Sequence, residues 1–407
     1  MVLPLEGIRV LDMTVFQQGT YSTAMLADLG ADVIKVEGPD TPDLGRWSGA
    51  VAAQTPLNSY FHSLNRGKRA ICIDLKKERG REIFHRLVKD ADVFVSNMRR
   101  PALARLGCDY QTLSEINPGL VYGRASGYGP NGPDADHGAM DLLGQARGGI
   151  MSQTGDPDGT PKPAGVAIAD HVGAMSMAFG LVVALLHRER TGEGQEVDAS
   201  LLGGQLCIQT FNITDYLWAG RQRGRAKRAG PNPTWSIYQG SDGKWFALGM
   251  NWQRYWERIA ELVGRPEWAT DPKYATLEAR LANADELFAE FDAIFATAPA
   301  SEWVRRFTEA DLLATPVNDY EAVSQDPQVL SNDYITEVDR GDEGPPVKMV
   351  GLPVIFSKTP GRIRGIGPEF GQHTEEVLQE AGLSWDELTE LREAGVIGPK
   401  PSVEAGG

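Results

Sequence analysis

The strongest constraint on the fold is an alternation, in the first third of the chain, between compact β-type runs and segments of helical spacing. "IRVLDM" (8–13) reads as a strand, "TYSTAMLADLG" (20–30) as a helix stopped by Gly30, and "ADVIKVEGP" (31–39) as a second strand. The pattern continues with strand "RAICIDL" (69–75), helix "KERGREIFHRLVKDA" (77–91), strand "DVFVSNM" (92–98), helix "PALARLGCDYQTLSEIN" (101–117) and strand "LVYGRASGYG" (120–129). Strands separated by helices cannot pair as hairpins and instead line up in one direction. This predicts an α/β fold with a Rossmann-like parallel sheet.

A helix is expected over 171–190, after which Gly192 and Gly194 turn the chain into a further strand. Residues 1–200 therefore read as a large domain, completed by a C-terminal segment, 350–407, that includes two helices in "HTEEVLQEAGLSWDELTELREAGVI" (373–397). Between 231 and 325 the composition shifts: Trp235, Trp245, Trp252, Trp256, Trp268 and Trp303 fall here, with short strands "WSIYQ" and "WFALGM" before helical patterns. This predicts a smaller α+β domain, its tryptophans mostly core, with 201–230 as the linker into it and the Pro/Gly-rich 326–349 as the return linker.

Charge limits the partners. The 407 residues carry a net charge of −15, which opposes nonspecific binding to nucleic acid or anionic lipid, so a polyanionic ligand needs a local basic patch. Cys72, Cys108 and Cys207 lie far apart without CxxC spacing, and the six histidines show no ligand spacing, so neither a disulfide framework nor a metal is expected. "MVLPLEGIRVLDM" lacks the features of a signal peptide, and "AMSMAFGLVVALL" (174–186) is too short to span a bilayer and reads as a buried helix. A cytoplasmic protein without a membrane partner is the expectation.

Three features carry candidate chemistry. The turn in "DMTVFQQGTYSTAML" aims backbone N–H groups and a positive helix end beyond the strand, which suits a phosphate. Glu37 stands where a dinucleotide fold places its ribose-binding acid, but Gly19 stands alone without the three-glycine fingerprint, so NAD is not expected. Second, Arg46, Arg66, Lys68, Lys76, Lys77, Arg99, Arg100 and Arg105 follow strand ends and read either as a solvated face or as the required basic patch. Third, Asp170 interrupts the small, apolar run "GVAIADHVGAMSMAFG" (165–180). It is either a helix N-cap or a catalytic carboxylate. His171, one residue on, cannot face the same way and reads as structural. GxSxG, HExxH and P-loop motifs are missing.

"GIRVLDMT", "ADLGADVIKVEGPDTPDLGR", "NSYFHSLNRGKRAICIDLK", "SGYGPNGP", "DLLGQARGGIMSQTGDPDGTPKPAGVAIADHVGA" and "RERTGEGQEVDASLL" together resemble the class III CoA-transferase family, over nearly the whole chain. That family also contains formyl-CoA transferases, carnitine CoA-transferase and the α-methylacyl-CoA racemases. The resemblance implies transfer of coenzyme A from an acyl-CoA donor to a carboxylic acid, with Asp170 as the nucleophile that carries an aspartyl-CoA thioester. It further implies coenzyme A contacts at Gln17, Gln18, Leu75, Lys76, Lys77, Asn97, Met98 and Arg105, and an interlocked-ring homodimer. Trp47 and Met140, with Tyr128 and Trp235, are candidate walls of the acid pocket.

Two departures from the family pattern bear on specificity. The racemases place a histidine in a "GHDINY"-like segment, whereas "GAMDLLGQ" (138–145) has none in place, which disfavours an acyl-CoA isomerase or racemase, since such exchange needs a group on each face of the carbon. Asp141 is the counterpart of an acid that the transferases often carry there and is a candidate substrate contact. The glycine-rich loop of formyl-CoA transferases has no match in "LGMNWQRYW" (248–256).

Overall fold

The computed structural model describes residues 2–47, 57–222, 224–226, 228, 230–341 and 344–398. The chain divides into a larger unit, 1–151, 163–221 and 330–407, and a smaller one, 152–162 and 222–329. Positions 223, 227 and 229 of the expected linker, positions 342 and 343 of the return segment, and the tail 399–407 lie outside the described residues.

The main sheet of the larger unit has six strands: β1 (Arg9–Met13), β2 (Asp32–Glu37), β3 (Arg69–Cys72), β4 (Val93–Ser96), β5 (Val121–Ser126) and β6 (Glu196–Ser200). They lie in the order β3-β2-β1-β4-β5-β6 with every pair parallel. Successive side chains of a strand face opposite ways. Leu11, Ile34, Ile71 and Phe94 enter one core, and Val10, Val33, Val93 and Val121 enter the other. Burial on both faces explains why these strands read as continuous apolar runs.

Nine helices of this unit matter for the site: α1 (Gln18–Asp28), α2 (Ser59–Asn65), α3 (Glu78–Lys89), α4 (Arg100–Leu106), α5 (Tyr110–Ile116), α6 (Asp141–Arg147), α7 (Ile168–Thr191), α8 (Leu201–Ile208) and α9 (Thr210–Ala219). Phe84 and Leu87 of α3, with Val377 and Leu388 of the C-terminal helices Thr374–Glu380 and Trp385–Glu393, cover one sheet face. Leu26 of α1 and Met177 and Leu181 of α7 cover the other. Each such buried side chain stabilises the fold by about 1.5–3 kcal/mol relative to exposure. Strand order reverses between β1 and β4, and in doubly wound sheets the crevice beyond that point is where ligands bind.

Several elements differ from the sequence expectation. The single helix expected over 101–117 is two, because Gly107 takes a left-handed φ of 67° and Asp109 starts α5 by accepting a bond from Thr112 N at 3.1 Å. The stretch 201–230, expected as a linker, is helical over α8 and α9, and the return segment forms a hairpin pairing Ile335–Val338 with Val347–Val350. The helix around 174–186 is not wholly buried: α7 has 24 residues and leaves Phe179 73% exposed, and by length and composition alone it is long and apolar enough to cross a membrane. The helix α9 also exposes Phe211, Leu217 and Trp218.

The smaller unit holds a three-stranded antiparallel sheet, β7 (Trp235–Gln239), β8 (Trp245–Gly249) and β9 (Ala314–Pro316). Tyr238, Phe246, Phe291, Phe295, Trp256, Trp268 and Trp303 form its core. The other three tryptophans, Trp235, Trp245 and Trp252, remain exposed.

Candidate active site

Beyond β1 the chain turns through Thr14, Val15 and Phe16 into α1. Phe16 has a φ of 61°, a left-handed conformation that costs a residue with a Cβ about 1–2 kcal/mol. The turn is held from below. Phe16 N donates to Asp43 Oδ1 at 2.9 Å, Lys35 Nζ donates to Thr14 O at 2.8 Å, and Lys35 pairs with Asp43 at 2.8 Å. Beside them Lys68 pairs with Asp12 at 2.8 Å, both side chains fully buried. Burial pushes the Asp12 carboxyl up, but Lys68 and Lys35 outweigh it and hold it below its usual range. Burial lowers the Lys68 ammonium below its usual range against the pull of Asp12. Across the strand-order reversal, Asn97 accepts from Val15 N at 2.9 Å and donates to Val15 O at 2.7 Å, tying the ends of β1 and β4 together.

These contacts decide which predicted cations reach a ligand. Arg46 is bound to Glu37 at 2.6 Å and Arg66 to Asp28 at 2.8 Å, and both belong with Lys68 to the scaffold. The Glu37 carboxylate is thereby occupied by arginine. Lys77 donates to the carbonyls of Ala394 and Gly395 and lines neither cavity described below. Among the described residues, Arg99, Arg105 and Lys76 make no side-chain hydrogen bond or ion pair, and all three line the crevice. Arg100 lies outside it and donates to Pro130 O at 3.0 Å.

Asp170 is not an N-cap. The helix α7 begins at Ile168 with Ala167 in the cap position, and Ala167 has no side chain to accept a bond. Asp141, the first residue of α6, does the capping from outside: its Oδ1 accepts from Ala169 N at 2.7 Å and from Asp170 N at 3.2 Å. Its Oδ2 accepts from Gln145 Nε2 at 2.6 Å, and Gln145 Oε1 accepts from Ala164 N at 2.8 Å, which fixes the loop entering α7. Asp141, expected beside the substrate, does not line the cavity.

Relieved of capping, the half-buried Asp170 carboxylate accepts no hydrogen bond among the described residues. Burial and then the Asp141 charge raise its pKa to about 7. An unpaired carboxylate poised near neutrality in a crevice is a signature of a functional site. His171 packs against the start of α1: Nδ1 lies 3.0 Å from both Gln17 Nε2 and Ala167 O, and the ring lies 5.1 Å from that of Tyr21. Sequence reasoning missed Tyr60 of α2, whose phenol burial and the charges of Asp170 and Asp43 push upward in pKa.

A cavity of about 810 Å³ connects Asp170 to Gln17, Gln18, Asn97, Met98 and Arg105, and Met140 also lines it. A second, of about 700 Å³, is lined by Leu75, Lys76 and Arg81. Val15, Met98, Ala102 and Arg105 line both, so they form one trough across the strand ends. His137 borders the Asp170 cavity but pairs with Asp134 at 2.9 Å and is 69% exposed. Trp47 is 64% exposed and outside both cavities, and Tyr128 lies under the Arg147 guanidinium at 4.6 Å. Trp235 lines an apolar groove of the smaller unit with Trp252.

The family model for CoA-transferase family III matches residues 5–374. A succinate–glutarate CoA-transferase from Agrobacterium fabrum is 36% identical over 392 residues, 93% of this chain and 95% of that protein. A succinyl-CoA–D-citramalate CoA-transferase from Chloroflexus aurantiacus is 35% identical, covering 97% of this chain and 98% of the relative. The crystal structure of a CAIB/BAIF family protein from Brucella suis superposes with a TM-score of 0.83 at 31% identity, over 94% of this chain and all of that one. The six-stranded parallel sheet, the trough at its strand-order reversal and these relatives agree, and the chain belongs to CoA-transferase family III.

Proposed function

We propose that the protein moves coenzyme A from an acyl-CoA to a carboxylic acid through an aspartyl-CoA thioester on Asp170. The observation that carries this reading is the unpaired, half-buried Asp170 carboxylate on the wall of the trough. Asp170 attacks the thioester carbonyl and the carbon–sulfur bond breaks, leaving a mixed anhydride and the coenzyme A thiolate. The thiolate attacks the Asp170 carbonyl of that anhydride, releasing the donor acid and forming the aspartyl thioester. The acceptor carboxylate then attacks the thioester, and the freed thiolate takes the acceptor acyl group, which regenerates Asp170. A carboxylate is a weak nucleophile and works when oriented and partly desolvated, which is the setting Asp141 and the small residues of α7 create.

In this reading the phosphates of coenzyme A lie against Lys76, Arg81 and Arg105, with Leu75 at the adenosine end. The pantetheine arm passes Met98 and Asn97 toward Gln17 and Gln18. Unpaired cations in a chain of net charge −15 supply the local positive patch that a polyanion needs. The acids are dicarboxylates of the kind named for the relatives, with Arg99 as a cation available to a second carboxylate. The working form is an interlocked homodimer; the large apolar side chains that α7 and α9 leave exposed, Phe179, Phe211, Leu217 and Trp218, support a subunit contact on these helices.

The test is exchange between succinyl-CoA and glutarate, followed by chromatography of both thioesters. The reading predicts glutaryl-CoA formation that Asp170→Asn abolishes. Deuterium uptake at the α-carbon without any acceptor acid, and no exchange, would favour isomerase chemistry instead.

A further inference from the structure

Gln18 is a long polar side chain buried at the first turn of α1, and α7 accommodates it because residue 173 is glycine. A Cβ on Gly173 would stand 2.7 Å from Gln18 Nε2 and 3.0 Å from its Cγ. The amide nitrogen is committed to main-chain carbonyls at the ends of β5 and β6, donating to Ala199 O at 2.9 Å and Ser126 O at 3.4 Å. Two carbonyl acceptors on one end of an amide determine that this end is the nitrogen. Among the described residues Oε1 meets no donor, and it is not one of the fully enclosed polar atoms. The space open to it is the cavity of about 810 Å³ that Asp170 also lines. Gly173 follows Asp170 by three residues, and such positions share a helix face with Cβ atoms about 5–6 Å apart. The Gln18 amide therefore stands one turn from the candidate nucleophile.

Building on the coenzyme A transfer reading, we propose that Gln18 Oε1 is a selectivity element that accepts a hydrogen bond from an N–H or O–H group of the ligand close to the reacting carbonyl. A helical turn of separation places that donor roughly three or four bonds from the carbonyl carbon. Two groups meet the requirement: the N–H nearest the sulfur in the pantetheine arm, and a hydroxyl on the acyl chain. A carbonyl or carboxylate oxygen in the same place meets an acceptor and is repelled. An analogue without the donor leaves a poorly hydrated amide oxygen unpaired, which is how polar sites reject their near neighbours.

Gln18→Met keeps the bulk against Gly173 and removes the acceptor together with the Nε2 donor to Ala199 O and Ser126 O. Coenzyme A is titrated into the wild type and the variant by calorimetry, and kcat/KM is compared for succinate and 2-hydroxysuccinate as acceptors. A loss of about tenfold in coenzyme A affinity identifies the pantetheine N–H as the donor. Unchanged affinity with a collapsed preference between the two acids identifies the hydroxyl. No change in either measurement overturns the proposal. A wild type that binds no coenzyme A at all overturns the transfer reading first, and this proposal with it. Thermal melting checks the variant, and Gln18→Ala replaces it if Met does not fold, since a smaller side chain opens space beside Gly173 instead of a clash.

Discussion

Asp170 carries a charge that its surroundings resist, and the resistance has a measurable sign. With a folded pKa near 7 against an ordinary aspartate value of 3.8, the native state holds an extra proton between those values. Stability linked to this group is therefore full below about pH 3.8, falls as pH rises through the window, and is lost above 7. Asp170→Asn removes the cost, so we expect it to stabilise the protein by about 1–3 kcal/mol at pH 8 and far less at pH 4. Urea denaturation at both pH values checks this, and equal gains would contradict it. The second cause of the shift is Asp141, and Asp141→Asn keeps an oxygen for Ala169 N while removing the charge. With Tyr60 as the other titratable group bearing on Asp170, the acid limb of the acylation rate should move down by about half to one pH unit. A limb that stays in place would make Asp141 purely structural. Asp170 was legible because a carboxylate in a run of Gly and Ala is an anomaly on the page. The capping by Asp141 was not, because it depends on α6 meeting α7 between residues 28 positions apart in the chain.

The sheet was readable for a similar reason: strands buried on both faces announce themselves as unbroken apolar runs, and helices between them leave only a parallel arrangement. What the cations do was less readable. A lysine after a strand looks the same in sequence whether it meets a phosphate or a carboxylate, and only packing shows that Lys68 turns inward to Asp12 while Lys76 faces the trough. The inward pair sits under the strained first turn, so removing Lys68 leaves the buried Asp12 carboxylate with only the more distant charge of Lys35, which is already committed to Asp43 and Thr14 O. Lys68→Met should cost about 3–5 kcal/mol, and adding Asp12→Leu should recover much of it. Guanidinium denaturation of the two single variants and the double variant checks this. Additive losses would mean that the two charges are not coupled. The helices α8 and α9 escaped notice because their apolar residues lack an inward-facing periodicity within one chain, leaving Phe211, Leu217 and Trp218 exposed.

Those exposed side chains are a feature that a single chain leaves unexplained. The homodimer reading predicts a solution mass near twice that of the chain by light scattering, and a shift toward monomer or aggregate on Trp218→Glu. A wild type that runs as a stable monomer would remove the case for shared assembly. The chemistry itself stands or falls on a covalent bond. The most direct measurement is incubation with succinyl-CoA in the absence of acceptor, trapping with borohydride or hydroxylamine, and peptide mass spectrometry. The account predicts a modified peptide whose altered residue is Asp170, missing in folded Asp170→Ala. A protein that binds the thioester yet leaves Asp170 unmodified would contradict it.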